Sequence, residues 1–83
     1  MKINLRVVFI GGNSKEVTCG ASDLVKFEDK FNISIARIQE DMRITYLLFL
    51  AWCAETRTKA TALDFNSWNE TVESIGASES DPK

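Results

Sequence analysis

The first twenty residues show the alternation of a β-hairpin. In residues 2–10, every second side chain is large and apolar, so one side of an extended chain carries Ile3, Leu5, Val7 and Phe9. Gly11, Gly12 and Asn13 then supply residues that tolerate positive φ. Residues 15–19 return with the β-branched pair Val17 and Thr18. The pattern predicts two antiparallel strands that need a further layer to pack on.

The period changes to that of an amphipathic helix at Asp23. Leu24, Phe27 and Phe31 recur on one side, with charged residues between them, and the predicted helix ends near Asn32. The isoleucines of residues 33–42 suit a short strand, a covering loop or another helical turn. Of these alternatives we expect an irregular, partly buried connection.

The most apolar stretch lies within a predicted helix from Arg43 to Arg57. Its apolar core, residues 46–54, is much too short to span a bilayer, which takes about 20 residues. Two apolar stripes run along the helix: one contains Ile44, Leu47, Leu48 and Ala51, the other Tyr46, Phe49, Trp52 and Cys53. Either the hairpin and the other helices enclose both stripes, or one of them contacts a second subunit or a partner protein.

A third helix is predicted after a polar loop at residues 56–63. Asp64 is a favourable N-cap, and Phe65, Trp68, Val72 and Ile75 share one helical face up to a C-terminal cap at Gly76. Residues 77–83 are polar and are expected to form a flexible tail. The predicted architecture is α+β: one small domain, residues 1–76, in which an N-terminal β-hairpin packs on a bundle of about three helices.

Composition narrows the classes of function. The 83 residues are 45% hydrophobic, carry a formal charge of -2 and include no histidine, the commonest metal ligand and general base. We therefore expect no catalytic site, no metal, no cofactor and no small-molecule substrate. Basic residues are not clustered, which disfavours nucleic-acid binding, and no signal peptide or membrane segment is apparent. Cys19 and Cys53 are expected to be reduced core thiols in the cytoplasm.

Three short signatures stand in a characteristic order. They are Asp23-Leu24-x-x-Phe27-Glu28-x-x-Phe31, then Tyr46-Leu47-x-Phe49-Leu50-Ala51-Trp52-x-Ala54-x-x-Arg57, then Asp64-Phe65-x-x-Trp68. Their order and spacing, over roughly residues 3–75, resemble small tail assembly chaperones of tailed bacteriophages, especially those infecting actinobacteria. Many relatives have histidine where this chain has Cys53, and the region between Phe31 and Tyr46 varies.

The resemblance implies a non-enzymatic protein of the host cytoplasm that escorts another phage protein, typically the helical tape-measure protein. Aromatic residues are common interface anchors, so we expect Tyr46, Phe49, Trp52 and also Leu50 to contact the partner or a second copy. Two alternatives remain open: a structural accessory protein of the virion, such as a capsid-decorating or minor virion protein, and a small inhibitor of a host protein.

Overall fold

The computed structural model describes residues 3–34, 36–37 and 43–77. Strands β1 (Ile3–Phe9) and β2 (Ser14–Cys19) are followed by helices α1 (Ala21–Phe31), α2 (Ile44–Arg57) and α3 (Phe65–Asn69), and by strand β3 (Val72–Ala77). The strands form one antiparallel sheet in the order β2-β1-β3. The predicted α+β architecture, with an N-terminal hairpin and three helices, is confirmed.

The hairpin follows from the alternation of residues in β1. Leu5 and Val7 are fully buried and face a core that also receives Val17 and Cys19 from β2. Gly11 and Gly12 have φ values of 108° and 100°, which other residues adopt only with strain. The Phe9 N–H donates to the Asn13 carbonyl at 2.7 Å and closes the turn. The glycines therefore allow the chain to reverse with the apolar positions of both strands on one face.

The prediction of a helix from Asp64 to Ile75 is wrong beyond Asn69. α3 ends there, and residues Val72–Ala77 form β3 instead. At the end of α3, the Thr71 N–H and hydroxyl both donate hydrogen bonds to the Trp68 carbonyl, at 2.9 and 2.7 Å. The Thr71 carbonyl in turn accepts a hydrogen bond from the Ile10 N–H at 2.8 Å. The backbone at Thr71 thus passes directly from the helix end into pairing with the end of the hairpin.

A β-bulge explains why this strand resembled a helix. Phe9 pairs with Val72, and Val7 pairs with Ile75, with a register shift between Val8 and Phe9. Val7 and Phe9 are two residues apart in β1, whereas their partners Ile75 and Val72 are three residues apart in β3. The extra residue keeps Val72 and Ile75 on the core side, so a bulged strand reproduces the i, i+3 spacing of a helix.

Helices α1 and α2 cover the core face of the sheet. α2 packs against β1, β2 and β3 and against α1 and α3, and its buried side chains include Leu47, Leu50, Ala51 and Ala54. α1 buries Leu24 and Phe27 and is followed by its C-cap Asn32, whose φ of 57° is left-handed. The predicted central helix and first helix thus exist with bounds that differ by only one or two residues.

The remaining sequence predictions fall at the edges of the described residues. Ala77, the first residue of the predicted tail, is the last residue of β3. The rest of the predicted tail, residues 78–83, lies outside the described residues. Most of the predicted irregular connection over residues 33–42 also lies outside them; within it, Ile33 is partly buried and packs against the core.

Candidate protein-binding surface

Helix α2 carries the four residues that the sequence suggested for partner contact, and their exposure differs. Leu50 is fully buried and Phe49 is only 7% exposed, whereas Tyr46 and Trp52 are partly exposed. Leu50 lies on the side of α2 that faces the core, together with Leu47 and Ala54. A partner docking on this surface would therefore not reach Leu50, and Phe49 offers it almost no area.

Tyr46, Phe49 and Trp52 belong to a continuous chain of aromatic rings inside the domain. Tyr46 contacts Phe27 and Phe31 of α1, with ring centroids 5.2 and 5.0 Å away. Phe49 lies 5.4 Å from Phe31, 5.9 Å from Trp52 and 5.7 Å from Phe65 of α3. Most of these pairs are edge-to-face, the geometry that aromatic rings favour. The rings therefore connect α1, α2 and α3.

A different set of apolar side chains reaches the surface. Ile44, Leu48 and Trp52 follow one another at intervals of four residues, so they lie along one side of α2. Ile44 is 54% exposed, while Leu48 and Trp52 are partly exposed. Leu63, in the loop after α2, is 45% exposed, and its carbonyl accepts a 2.9 Å hydrogen bond from Trp52 Nε1. We call Ile44, Leu48, Trp52 and Leu63 the apolar ridge.

Of the four residues that the sequence predicts for partner contact, only Trp52 belongs to the apolar ridge. Ile44 and Leu48 belong to the predicted stripe with Leu47 and Ala51, and Trp52 belongs to the other predicted stripe. The signal that identifies the ridge is the four-residue spacing from Ile44 through Leu48 to Trp52, which crosses both stripes. A helical wheel cannot show which side of a helix the sheet will cover.

Charged residues near the C-terminal end of α2 are paired within the domain. The buried Glu55 carboxylate forms an ion pair with Lys15 of β2, in which Lys15 Nζ lies 2.7 Å from Glu55 Oε2. The Asp23 carboxylate, also fully buried, accepts hydrogen bonds from the Gly20 N–H at 2.9 Å and from Arg57 Nη2 at 2.9 Å. The hydrogen bonds to Asp23 raise the pKa of Arg57 above its ordinary value. The first pair joins α2 to the hairpin, and the second joins α2 to the start of α1.

The two cysteines are free and buried. Burial is the main cause that raises the pKa of Cys19 to about 12 and that of Cys53 to about 11, with a further contribution from the nearby Asp23 carboxylate. The Cys19 thiol donates to the Leu50 carbonyl at 3.3 Å. Both thiols are therefore protonated near neutral pH and suited to packing, because the thiolate is the reactive form.

The described residues also answer two questions about other kinds of site. No three histidine, cysteine, aspartate or glutamate side chains among them are placed to share a metal ion. None of the helices in this part of the chain has both the length and the apolar character needed to cross a membrane.

Comparison of the chain with protein-family models, with curated proteins and with solved structures gives no match.

Proposed function

We propose that this protein is a non-catalytic assembly protein that binds a helix of a partner protein on its apolar ridge. The observation that carries the proposal is the exposure of Ile44 and Leu63, 54% and 45%. Ile44 is in line with Leu48 and Trp52 on α2, and the Leu63 carbonyl is hydrogen-bonded to Trp52. Apolar side chains that cluster on one surface favour protein contact. The resemblance to tail assembly chaperones adds the tape-measure protein as the expected partner.

The spacing of the ridge favours a helical partner. Residues four apart form one of the two kinds of ridge that pack into the grooves of a neighbouring helix. From Ile44 to Trp52 the ridge spans about 12 Å, or slightly more than two helical turns. A partner helix would place apolar residues at i, i+3 or i+4 and i+7 against it, as in helix-in-groove recognition.

Trp52 is the expected anchor of this surface. Its indole ring is held by Phe49 and Phe65, and its N–H already has a partner in the Leu63 carbonyl. A ring fixed in advance loses little conformational entropy on binding, and tryptophan is enriched among residues that dominate binding energy. The partner then needs to cover only the exposed side of the ring and its aliphatic neighbours.

Co-expression with the tape-measure protein tests the proposal. Ile44→Ser and Leu63→Ser remove apolar area that is already exposed, so we expect both variants to fold but to keep less of the partner soluble. Val25→Ser is the matched control, because Val25 is 56% exposed and lies on α1, which contributes no residue to the ridge. Equal loss in all three variants, or in none, would refute the assignment to the ridge.

Mass spectrometry of purified virions tests the escorting role separately. A chaperone leaves before the particle is complete, so the protein should be absent from finished virions. Stoichiometric retention in the particle would reject the chaperone role and favour the structural accessory role. It would not contradict binding of a partner through the apolar ridge.

A further inference from the structure

The exposed side of α2 is uncharged from Ile44 to Thr56. Residues 44–54 include no acidic or basic side chain. Glu55 and Arg57, the next two charged residues of the helix, already form ion pairs within the domain. A charge that a partner helix meets at the C-terminal end of α2 is therefore supplied by the residues that follow this helix.

Lys59 is the first charged residue after α2, and it is exposed. Among the described residues, no ion pair or side-chain hydrogen bond engages its ammonium group. Lys59 follows Trp52 by seven residues, about two helical turns, and the backbone stays close to helical up to Thr58, where φ is -88° and ψ is 4°. Lys59 therefore lies at the C-terminal end of the apolar ridge, on the side of α2 that carries Trp52.

The backbone at Lys59 has a conformation that glycine usually supplies. Its φ of 63° lies in the left-handed region. The Lys59 N–H donates to the Thr56 carbonyl at 3.0 Å, and the Ala60 N–H donates to the Glu55 carbonyl at 2.8 Å, which are the two hydrogen bonds of a Schellman motif. The left-handed residue of this motif is most often glycine, because other residues adopt it with strain. Lysine thus provides a long cationic side chain where the backbone alone favours glycine.

We propose that Lys59 selects the partner helix by forming an ion pair with an acidic residue at the end of the helix that binds the apolar ridge. This inference rests on the proposed function, because it requires a helix on the ridge. A partner helix that extends from Ile44 to Lys59 is about 22 Å long. The whole protein has a formal charge of -2, which disfavours acidic ligands in general, so attraction of an acidic helix end is a local property of this position.

Two synthetic helical peptides test the role of Lys59. Both have the same leucine face, with apolar residues at i, i+3 or i+4 and i+7, and they are flanked at both ends by glutamate in one peptide and by glutamine in the other. Lys59→Gln should weaken binding of the glutamate-flanked peptide about two- to fivefold, as for exposed ion pairs, and leave the glutamine-flanked peptide unchanged. Isothermal titration calorimetry measures both affinities. Raising the ionic strength from about 0.05 to 0.5 M should remove the difference.

Lys26→Gln is the matched control. It removes the same charge from an exposed position on α1, which contributes no residue to the ridge, so it should affect neither peptide. Lys59→Gly removes the charge and the left-handed strain together, so it should weaken the glutamate-flanked peptide as Lys59→Gln does without lowering the urea midpoint. If Lys59 served only to interact with the dipole of α2, its loss would lower the urea midpoint and would not distinguish the peptides.

The outcomes separate this inference from the proposed function. Equal effects of Lys59→Gln on both peptides, or an equal loss of binding in Lys26→Gln, would overturn the role of Lys59 and leave the apolar ridge as a helix-binding site. Lack of binding by either peptide, or binding that Ile44→Ser does not weaken, would reject the ridge as a helix-binding site and the role of Lys59 with it.

Discussion

Leu50→Ala measures how firmly α2 is fixed in the core. The leucine is fully buried, and its neighbours on the helix, Ala51 and Ala54, are too small to fill the space it would leave. Ile44→Ala is the comparison, because it truncates an aliphatic side chain of the same helix that is 54% exposed. The two substitutions separate a core position from a surface position on one element.

The expected costs differ several-fold. Leucine-to-alanine substitution in a core lowers the free energy of unfolding by about 2–5 kcal/mol, because transfer energy and a residual cavity both contribute. Ile44→Ala removes only part of a side-chain burial worth about 1.5–3 kcal/mol and gains helix propensity, so about 0.5–1 kcal/mol is expected. A domain of this size has a total stability of about 4–12 kcal/mol. Leu50→Ala should therefore lower the melting temperature by roughly 8–40 °C.

Urea unfolding followed by tryptophan fluorescence provides the assay. Trp68 is buried against Phe9 and Trp52 lies against Phe65, so the two fluorophores report on different parts of the domain. A loss below about 1 kcal/mol for Leu50→Ala would refute the placement of this residue in the core. Equal losses for Leu50→Ala and Ile44→Ala would refute the orientation of α2 from which the apolar ridge is inferred.

Two further predictions concern titratable groups. A hydrogen bond from the Ser67 N–H holds the pKa of Asp64 below its ordinary value of 3.8. The ionised Asp64 carboxylate therefore stabilises the fold above pH 3.8, and this stabilisation is lost as the pH falls through the lower pKa of the folded state. Asp64→Ala should lower the urea midpoint at pH 7 but make little difference near about pH 2, and a difference that persists in acid contradicts this cause. Burial of Cys19 and Cys53 predicts that iodoacetamide labels the native protein at pH 8 far more slowly than the urea-unfolded protein, as mass spectrometry would measure. Equal labelling rates would contradict their enclosure.

The sequence predicts the elements of this fold better than their packing. The hairpin is clear because alternation in β1 and the glycine turn favour the same structure. β3 is missed because Val72 and Ile75 are three residues apart, which suits both a helix and a bulged strand. Only pairing with β1, more than sixty residues away in the chain, decides between them.

The candidate surface is predicted only in part for a similar reason. The excess of apolar residues on α2 is visible in the sequence, and Trp52, predicted there for partner contact, is partly exposed. Phe49 is covered by Phe31 and Phe65, which come from different parts of the chain. Leu50 is enclosed because α2 turns that side toward the sheet. Local periodicity contains no information about either contact.

The position of β1 between β2 and β3 has a consequence for folding kinetics. Its pairing with β2 begins at Val8 and Ser14, whereas its pairing with β3 begins at Phe9 and Val72. Closing the longer loop costs about 2 kcal/mol more entropy than closing the hairpin. The hairpin and helices therefore have a kinetic advantage over β3, and β1 keeps one open edge until the most distant segment of the sheet arrives.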